Sequence, residues 1–160
     1  MRSARLLNAA AGLGCAALIV YALVLQWVDG LEPCPLCIFQ RVAFATMAVF
    51  FFLGAVLPGK WVAAGIGLAA LSGVGLAGRH LWLQSLPSDQ VPACGPGLDY
   101  MLGMFPLSEV FAMVLSGSGE CAEVDTVFGL SIPLWTLFAF VLIGVLGVFI
   151  NTSKRTHIAH

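Results

Sequence analysis

The stretch CPLCIFQRVAFATMAVFFFLGAVL, Cys34 to Leu57, decides the fold. From Ile38 onward it is apolar apart from Gln40, Arg41 and Thr46, and a bilayer core of about 30 Å takes about 20 helical residues. The segment is therefore expected to span a membrane, with Cys34-Pro35-Leu36-Cys37 at its mouth. Cysteines at i and i+3 share one face of a helical turn and can form a disulfide without large backbone movement. A helix N-terminus also stabilises thiolate, so the placement suits redox chemistry at a membrane surface.

The rest of the chain agrees with a membrane setting. Hydrophobic residues make up 60% of it and charged residues 9%, with a mean hydropathy of +0.99, far outside the range of soluble domains. Four segments qualify as spans, about 7–28, 38–57, 62–83 and 132–150. The first, behind Arg2 and Arg5, has the flank of a signal sequence, but its apolar run is long and no small-residue cleavage site precedes Asp29. It reads as a retained helix. With no internal repeat and short connections, residues 1–160 are predicted to form one integral membrane domain, an all-α bundle of four transmembrane helices.

Arg2, Arg5, Lys60, Lys154 and Arg155 all fall on one side of this arrangement, which the positive-inside rule assigns to the cytoplasm. Both termini are then cytoplasmic, and the loops at about 29–37 and 84–131 lie outside. The net charge of −1 offers no basic surface for nucleic acid, which is excluded as a partner. Asn151-Thr152-Ser153 spells a glycosylation sequon on the wrong side of the membrane and is set aside.

Cys34, Cys37, Cys94 and Cys121 thus face the outer compartment, the periplasm if the cell is bacterial, where disulfides persist. Cys15 sits alone within the first span and reads as a small buried apolar residue. A zinc site normally pairs two short CxxC knuckles; here the second pair is widely spaced and no histidine lies near it in sequence, so no metal is expected. Covalent haem attachment needs histidine after the second cysteine, and residue 38 is Ile. Two structural disulfides stapling the outer loops fit the spacing as well as two redox-active ones do.

The surroundings of Cys37 favour redox chemistry. Arg41 lies one turn further in, about 6 Å deeper, where a cation meets apolar surroundings and the unfavourable end of the helix dipole. Snorkelling to lipid phosphates is one account of it. Stabilising the Cys37 thiolate, or negative charge on a reduced ligand, is the other. Arg79 and His80, near the outer end of the antiparallel third span, are expected at the same height. Together with Phe39, Phe44, Leu81 and Trp82 they would outline a pocket for a lipid-soluble, ring-shaped molecule.

The loop at 84–131 is too long for a mere connector. Its prolines and glycines around Cys94 predict extended, mobile chain, suited to a disulfide that must meet a partner. Leu107, Val110, Phe111, Val114 and Leu115 recur at helical spacing in a segment too short to span. This amphipathic helix either lies on the outer leaflet or packs against the bundle, and either way holds the loop near Cys34 and Cys37.

CPLCIFQR at the second helix, RHLWLQ before a proline-bearing loop, Cys94 within it, and GECAE followed by FGLSIPLW into the last helix together resemble the DsbB family of bacterial disulfide bond formation proteins. The likeness runs in order and spacing from Cys34 to Trp135. It implies an inner-membrane oxidase that reoxidises the periplasmic thiol oxidase DsbA and passes electrons to membrane quinone, ubiquinone or menaquinone. On that resemblance Cys94 and Cys121 are the loop pair that exchanges with DsbA, and Cys34 and Cys37 receive the reducing equivalents from Cys121. Arg41 would polarise a quinone oxygen and His80 would lie near the ring. The alternative is a non-catalytic four-helix membrane protein with two structural loop disulfides. Gln40 stands where the best-known relatives carry an acid.

Overall fold

A computed structural model describes residues 2–87, 89–95 and 97–153. Pro96, Lys154, Arg155, His157 and His160 lie outside the described residues. In lipid every backbone polar group must be paired within the chain, which leaves helices as the economical spanning form for these apolar runs. Four cross: α1 (Arg2–Val28), α2 (Pro35–Val56), α3 (Lys60–Gln84) and α6 (Ile132–Thr152). Three contain their predicted spans, while α2 starts three residues early and stops at Val56, one residue short of the predicted end. The described residues of the long loop hold α4 (Leu98–Met104), α5 (Leu107–Ser116), a 3-10 turn at Gly119–Ala122, and a two-stranded antiparallel ribbon of β1 (Thr126–Val127) and β2 (Leu130–Ser131).

α1 packs on α2, α2 on α3 and α3 on α6, while α1 and α6 touch only slightly. With no hydrophobic force between helices in lipid, small residues that admit close contact hold such a bundle. Gly73 of α3 receives the Phe140 ring directly, so a Cβ there would overlap it. Phe140 in turn stacks on Phe44 of α2, ring centroids 3.9 Å apart. Around these rings Met47, Phe51 and Ile66 are fully buried, forming the membrane-level core. Cys15 is buried against it, as its sequence setting suggested.

A second core sits at the cysteine end. Cys34, Leu36, Leu83, Met101, Val110, Val114 and Cys121 close on one another there. It draws in α4, α5 and the end of α3, and so ties the long loop to the bundle. α5 buries Val110 and Val114 and leaves Leu107, Phe111 and Leu115 exposed, so one apolar edge packs on protein and the other is free to meet lipid.

The end of the bundle that carries the termini is closed by polar groups. Asn8 and Asn151, both buried, exchange amide hydrogen bonds at 3.1 and 2.9 Å. Each also donates to a helix carbonyl, Asn8 to Gly54 and Asn151 to Gly147. The residue of the idle sequon is thus half of a clamp joining α1, α2 and α6. Replacing Asn8 with Leu leaves Asn151 under-bonded in an apolar interior. Unfolding in mixed micelles should show a loss of about 1–2 kcal/mol, and the double Asn8→Leu/Asn151→Leu variant should lose less than the sum of the singles. Additive losses would mean that the pair is not coupled.

Candidate active site

The site starts with how α2 begins. Pro35 occupies the first turn, where its missing N–H costs nothing, and Cys34 is the N-cap,. The Cys34 sulfur accepts the Cys37 N–H at 3.4 Å. Extended backbone at Cys34 followed by helix at Pro35 brings the two sulfurs to 3.3 Å, with Cys34 donating to Cys37.

His80 of α3 lies against both thiols. Its Nε2 is 3.9 Å from Cys34 Sγ and its Nδ1 is 3.9 Å from Cys37 Sγ. Buried Gln40 stands 3.3 Å from Nδ1 through its amide nitrogen. Thr136 of α6 holds the other end of that amide, its hydroxyl donating to Gln40 Oε1 at 2.6 Å. One chain of contacts therefore joins α6, α2 and α3 directly beneath the cysteines. Sequence reading singled out His80 but not its brace, because Gln40 and Thr136 lie far apart in the chain. The only available signal was a polar residue in an otherwise apolar helix.

Cys121 completes the group. Fully buried in the 3-10 turn, it interacts side chain to side chain with Cys34 and lies 3.7 Å from the Ser118 hydroxyl. Cys94 is exposed, yet close by: Gly119 N–H donates to Ala93 O at 3.3 Å. A Cβ on Gly119 would stand 2.8 Å from Pro92 O and 3.2 Å from the Cys94 sulfur. Glycine at 119 is what allows the Cys94 segment to lie against the turn that bears Cys121. All four outer cysteines are free thiols.

Arg41 turns toward α1, donating to Gln26 Oε1 at 2.6 Å and to the Ala22 carbonyl at 3.2 Å. Both partners are neutral, and the guanidinium lies at the wall of a recess. Cys37, Gln40, Arg41, Phe44, Glu32 and Asp125 are among the residues lining that recess, which has a volume of about 80 Å³. Leu25, Phe44, Ile132 and Thr136 also line an apolar groove of about 460 Å³ between α1 and α6, edged by Phe128 and Trp135.

The expectation that Arg79 joins Arg41 and His80 requires correction. Successive helical residues point about 100° apart, so with His80 facing the cysteines Arg79 faces α5. There it caps the helix, donating to the carbonyls of Leu115 and Ser116, both at 2.8 Å, and lies 4.1 Å over Trp82. Phe39 is likewise on that side, edge-on to Phe111. Of the ring-pocket residues expected from sequence, Arg41 and Phe44 line the recess, and His80 stands beside it through Gln40.

Burial and contact govern the outer thiols. A hydrogen bond from Cys121 favours Cys34 thiolate, but the Cys37 contact and burial outweigh it and push the Cys34 thiol up to about 12. The Cys34 contact and then burial push Cys121 up as well. In fully reduced protein at neutral pH, a maleimide should therefore modify exposed Cys94 first. Cys34 and Cys121 should react at least about tenfold more slowly, at rates that rise about tenfold per pH unit as thiolate appears. Mass-spectrometric mapping of the label checks this, and equal rates at the three sites would refute it.

Comparison with known proteins agrees with this geometry. Residues 4–150 match the family model described as disulfide bond formation protein DsbB. A disulfide bond formation protein B of Hahella chejuensis is 57% identical over 136 residues, covering 81% of this chain and 82% of the relative. One from Nitrosococcus oceani is 51% identical over 141 residues, 84% and 83% of the two chains. Another, from Xanthomonas axonopodis pv. citri, is 44% identical over 156 residues, 92% and 90%. Loop staples alone are the less favoured reading of the cysteines in such company. With four membrane-crossing helices and three of its thiols gathered at one end, the chain belongs to the DsbB family of disulfide bond formation proteins, membrane oxidoreductases that form disulfides.

Proposed function

We propose that this protein reoxidises a DsbA-like periplasmic dithiol oxidase and delivers the electrons to membrane quinone, from the bacterial inner membrane with its cysteine end in the periplasm. The observation that carries the reading is the division of faces at the CxxC pair. Cys34 meets Cys121 and the aqueous mouth, whereas Cys37 also lines the recess beside Arg41 that adjoins the apolar groove.

In the working cycle each pair begins as a disulfide. A partner thiolate attacks Cys94, forming a mixed disulfide and releasing Cys121 as thiolate; the partner's second thiol then releases it oxidised. Cys121 attacks Cys34, and Cys37 leaves as thiolate. Cys94 then attacks Cys121, restoring the loop disulfide and leaving Cys34 and Cys37 reduced. Cys94 is accessible for the first exchange and Cys121 is already against Cys34 for the second.

The fit of the recess to quinone rests on its chemistry: a cation and amide at the polar end, an apolar groove for a prenyl tail, and a thiol in its wall. Quinone, when bound, supplies the two-electron, two-proton acceptor. Arg41 would help hold a bound quinone by favouring negative charge on its oxygens, and its neutral partners on α1 fix its position,.

Purified protein in detergent, given reduced DsbA-type oxidase and a short-chain quinone, should reduce the quinone with multiple turnovers. Cys94→Ser should lower the rate at least about a hundredfold, since Cys94 is the one exposed sulfur of the loop pair,. Absence of turnover by the unaltered protein would overturn the proposal. Arg41→Met should raise the quinone KM about tenfold, a loss of about 1.4 kcal/mol, while formation of the Cys94 mixed disulfide keeps its rate. An unchanged KM would reduce Arg41 to a tether between α2 and α1.

A further inference from the structure

The reduced cysteine end has the makings of a metal site, although the spacing of the cysteines predicted none. The sequence lacked a histidine beside either pair, and the fold supplies one from α3. The donor atoms of Cys34, Cys37 and His80 all lie within 4.8 Å of one another, and Cys121 adds a third thiol through its contact with Cys34. We propose that the dithiol form of this protein binds one thiophilic divalent cation, Zn²⁺ or a soft mimic, through Cys34, Cys37, Cys121 and His80 Nε2, and that the bound ion arrests the thiols in the reduced state.

The distances suit a tetrahedral ion. Zn–S bonds of about 2.3 Å and Zn–N bonds of about 2.0–2.1 Å put adjacent sulfurs about 3.8 Å apart and sulfur and nitrogen about 3.5 Å apart. The observed separations are 3.3 Å between Cys34 and Cys37 and 3.9 Å from Cys34 to Nε2. Shifts of about half an ångström at Cys34 would therefore suit these pairs, while Cys121, which touches Cys34 but lies outside the group of donors within 4.8 Å of one another, must swing its side chain inward to complete the tetrahedron. Burial is deep at Cys34, Cys121 and His80, which are 5%, 0% and 3% exposed, so an ion would meet little competing water.

Two further features fit a cation. Metal-bound histidines carry a hydrogen-bond partner on the second ring nitrogen, which orients the ring and selects the tautomer. Gln40 stands in that position on Nδ1. Turned end for end, its amide accepts the Nδ1 proton and donates to Thr136, whose own hydroxyl proton has the Pro133 carbonyl at 2.9 Å. The opening above the thiols is bordered by Glu32, Glu120, Glu123 and Asp125, with no Lys or Arg among its lining residues. Its potential therefore draws cations toward the sulfurs. Binding changes no oxidation state: three thiols give up three protons and the ion gains three thiolates and an imidazole. A Cys34–Cys37 disulfide removes two ligands and a Cys94–Cys121 disulfide removes one, so the complete site exists only in reduced protein.

The test uses the full chain in detergent, reduced with a phosphine and freed of metal. Titrated Co²⁺ should give thiolate-to-cobalt charge transfer and the strong visible bands of a tetrahedral ion at one equivalent, bleached by one equivalent of Zn²⁺. The same protein reoxidised should give neither band, a control that needs no variant. Cys94→Ser should keep the full signal, while Cys121→Ser and His80→Asn should each weaken binding at least about tenfold. Unaltered affinity in both of those variants would leave only the bare CxxC dithiol and overturn the four-ligand site, as would binding to the oxidised chain or failure to bind one equivalent.

Discussion

The demand of the bilayer for paired backbone groups determines where α2 can begin, and the rest of the site follows from that point. A helix entering hydrocarbon must complete its first turn before the polar medium ends. Pro35 at the first turn sacrifices no donor, and the sulfur of Cys34 caps the Cys37 N–H. The cap is also one of the atoms proposed to react. The same local geometry that starts the helix thus sets the two thiols side by side at the membrane boundary and orients them before any tertiary contact is made.

Tertiary structure then separates the duties of adjacent atoms. Leu36, Leu83, Val110 and Val114 form an apolar collar around Cys34 and Cys121, which brings a loop sulfur to a membrane-anchored one. Arg79 fastens the collar by capping the carbonyl end of α5. Gly119 lets the segment bearing Cys94 lie against the turn of Cys121. None of these residues carries a thiol, yet each fixes a distance on which the proposed exchange depends.

Local signals made the spans, the CxxC pair and α5 legible, because apolar run length and helical spacing each lie within a few residues of one another. The ribbon after Cys121 was missed. Its signal was a two-residue turn, Phe128-Gly129, both at positive φ, flanked by strands of only two residues, too short for alternation to register. Arg79 was misplaced because height along a helix is readable from rise per residue, whereas the face presented depends on which neighbour its partner residue chooses. The Gln40–Thr136 brace and the Asn8–Asn151 clamp join residues on different helices, and no local pattern announces such pairs.

Burial at this end has a kinetic consequence beyond packing. In the reduced protein, thiols that hold their protons at neutral pH, as Cys34 and Cys121 do, are poor targets for chance oxidants and poor attackers. Thiol–disulfide exchange does not need them to ionise at rest, because each step releases its leaving sulfur as thiolate. Intrinsic nucleophilicity rises with pKa, so a Cys121 thiolate freed beside Cys34 is a strong attacker for the brief time before it takes up a proton. In the proposed cycle the buried arrangement would stay quiet until a partner opens the loop disulfide, and it would then favour transfer to Cys34 over escape to solvent.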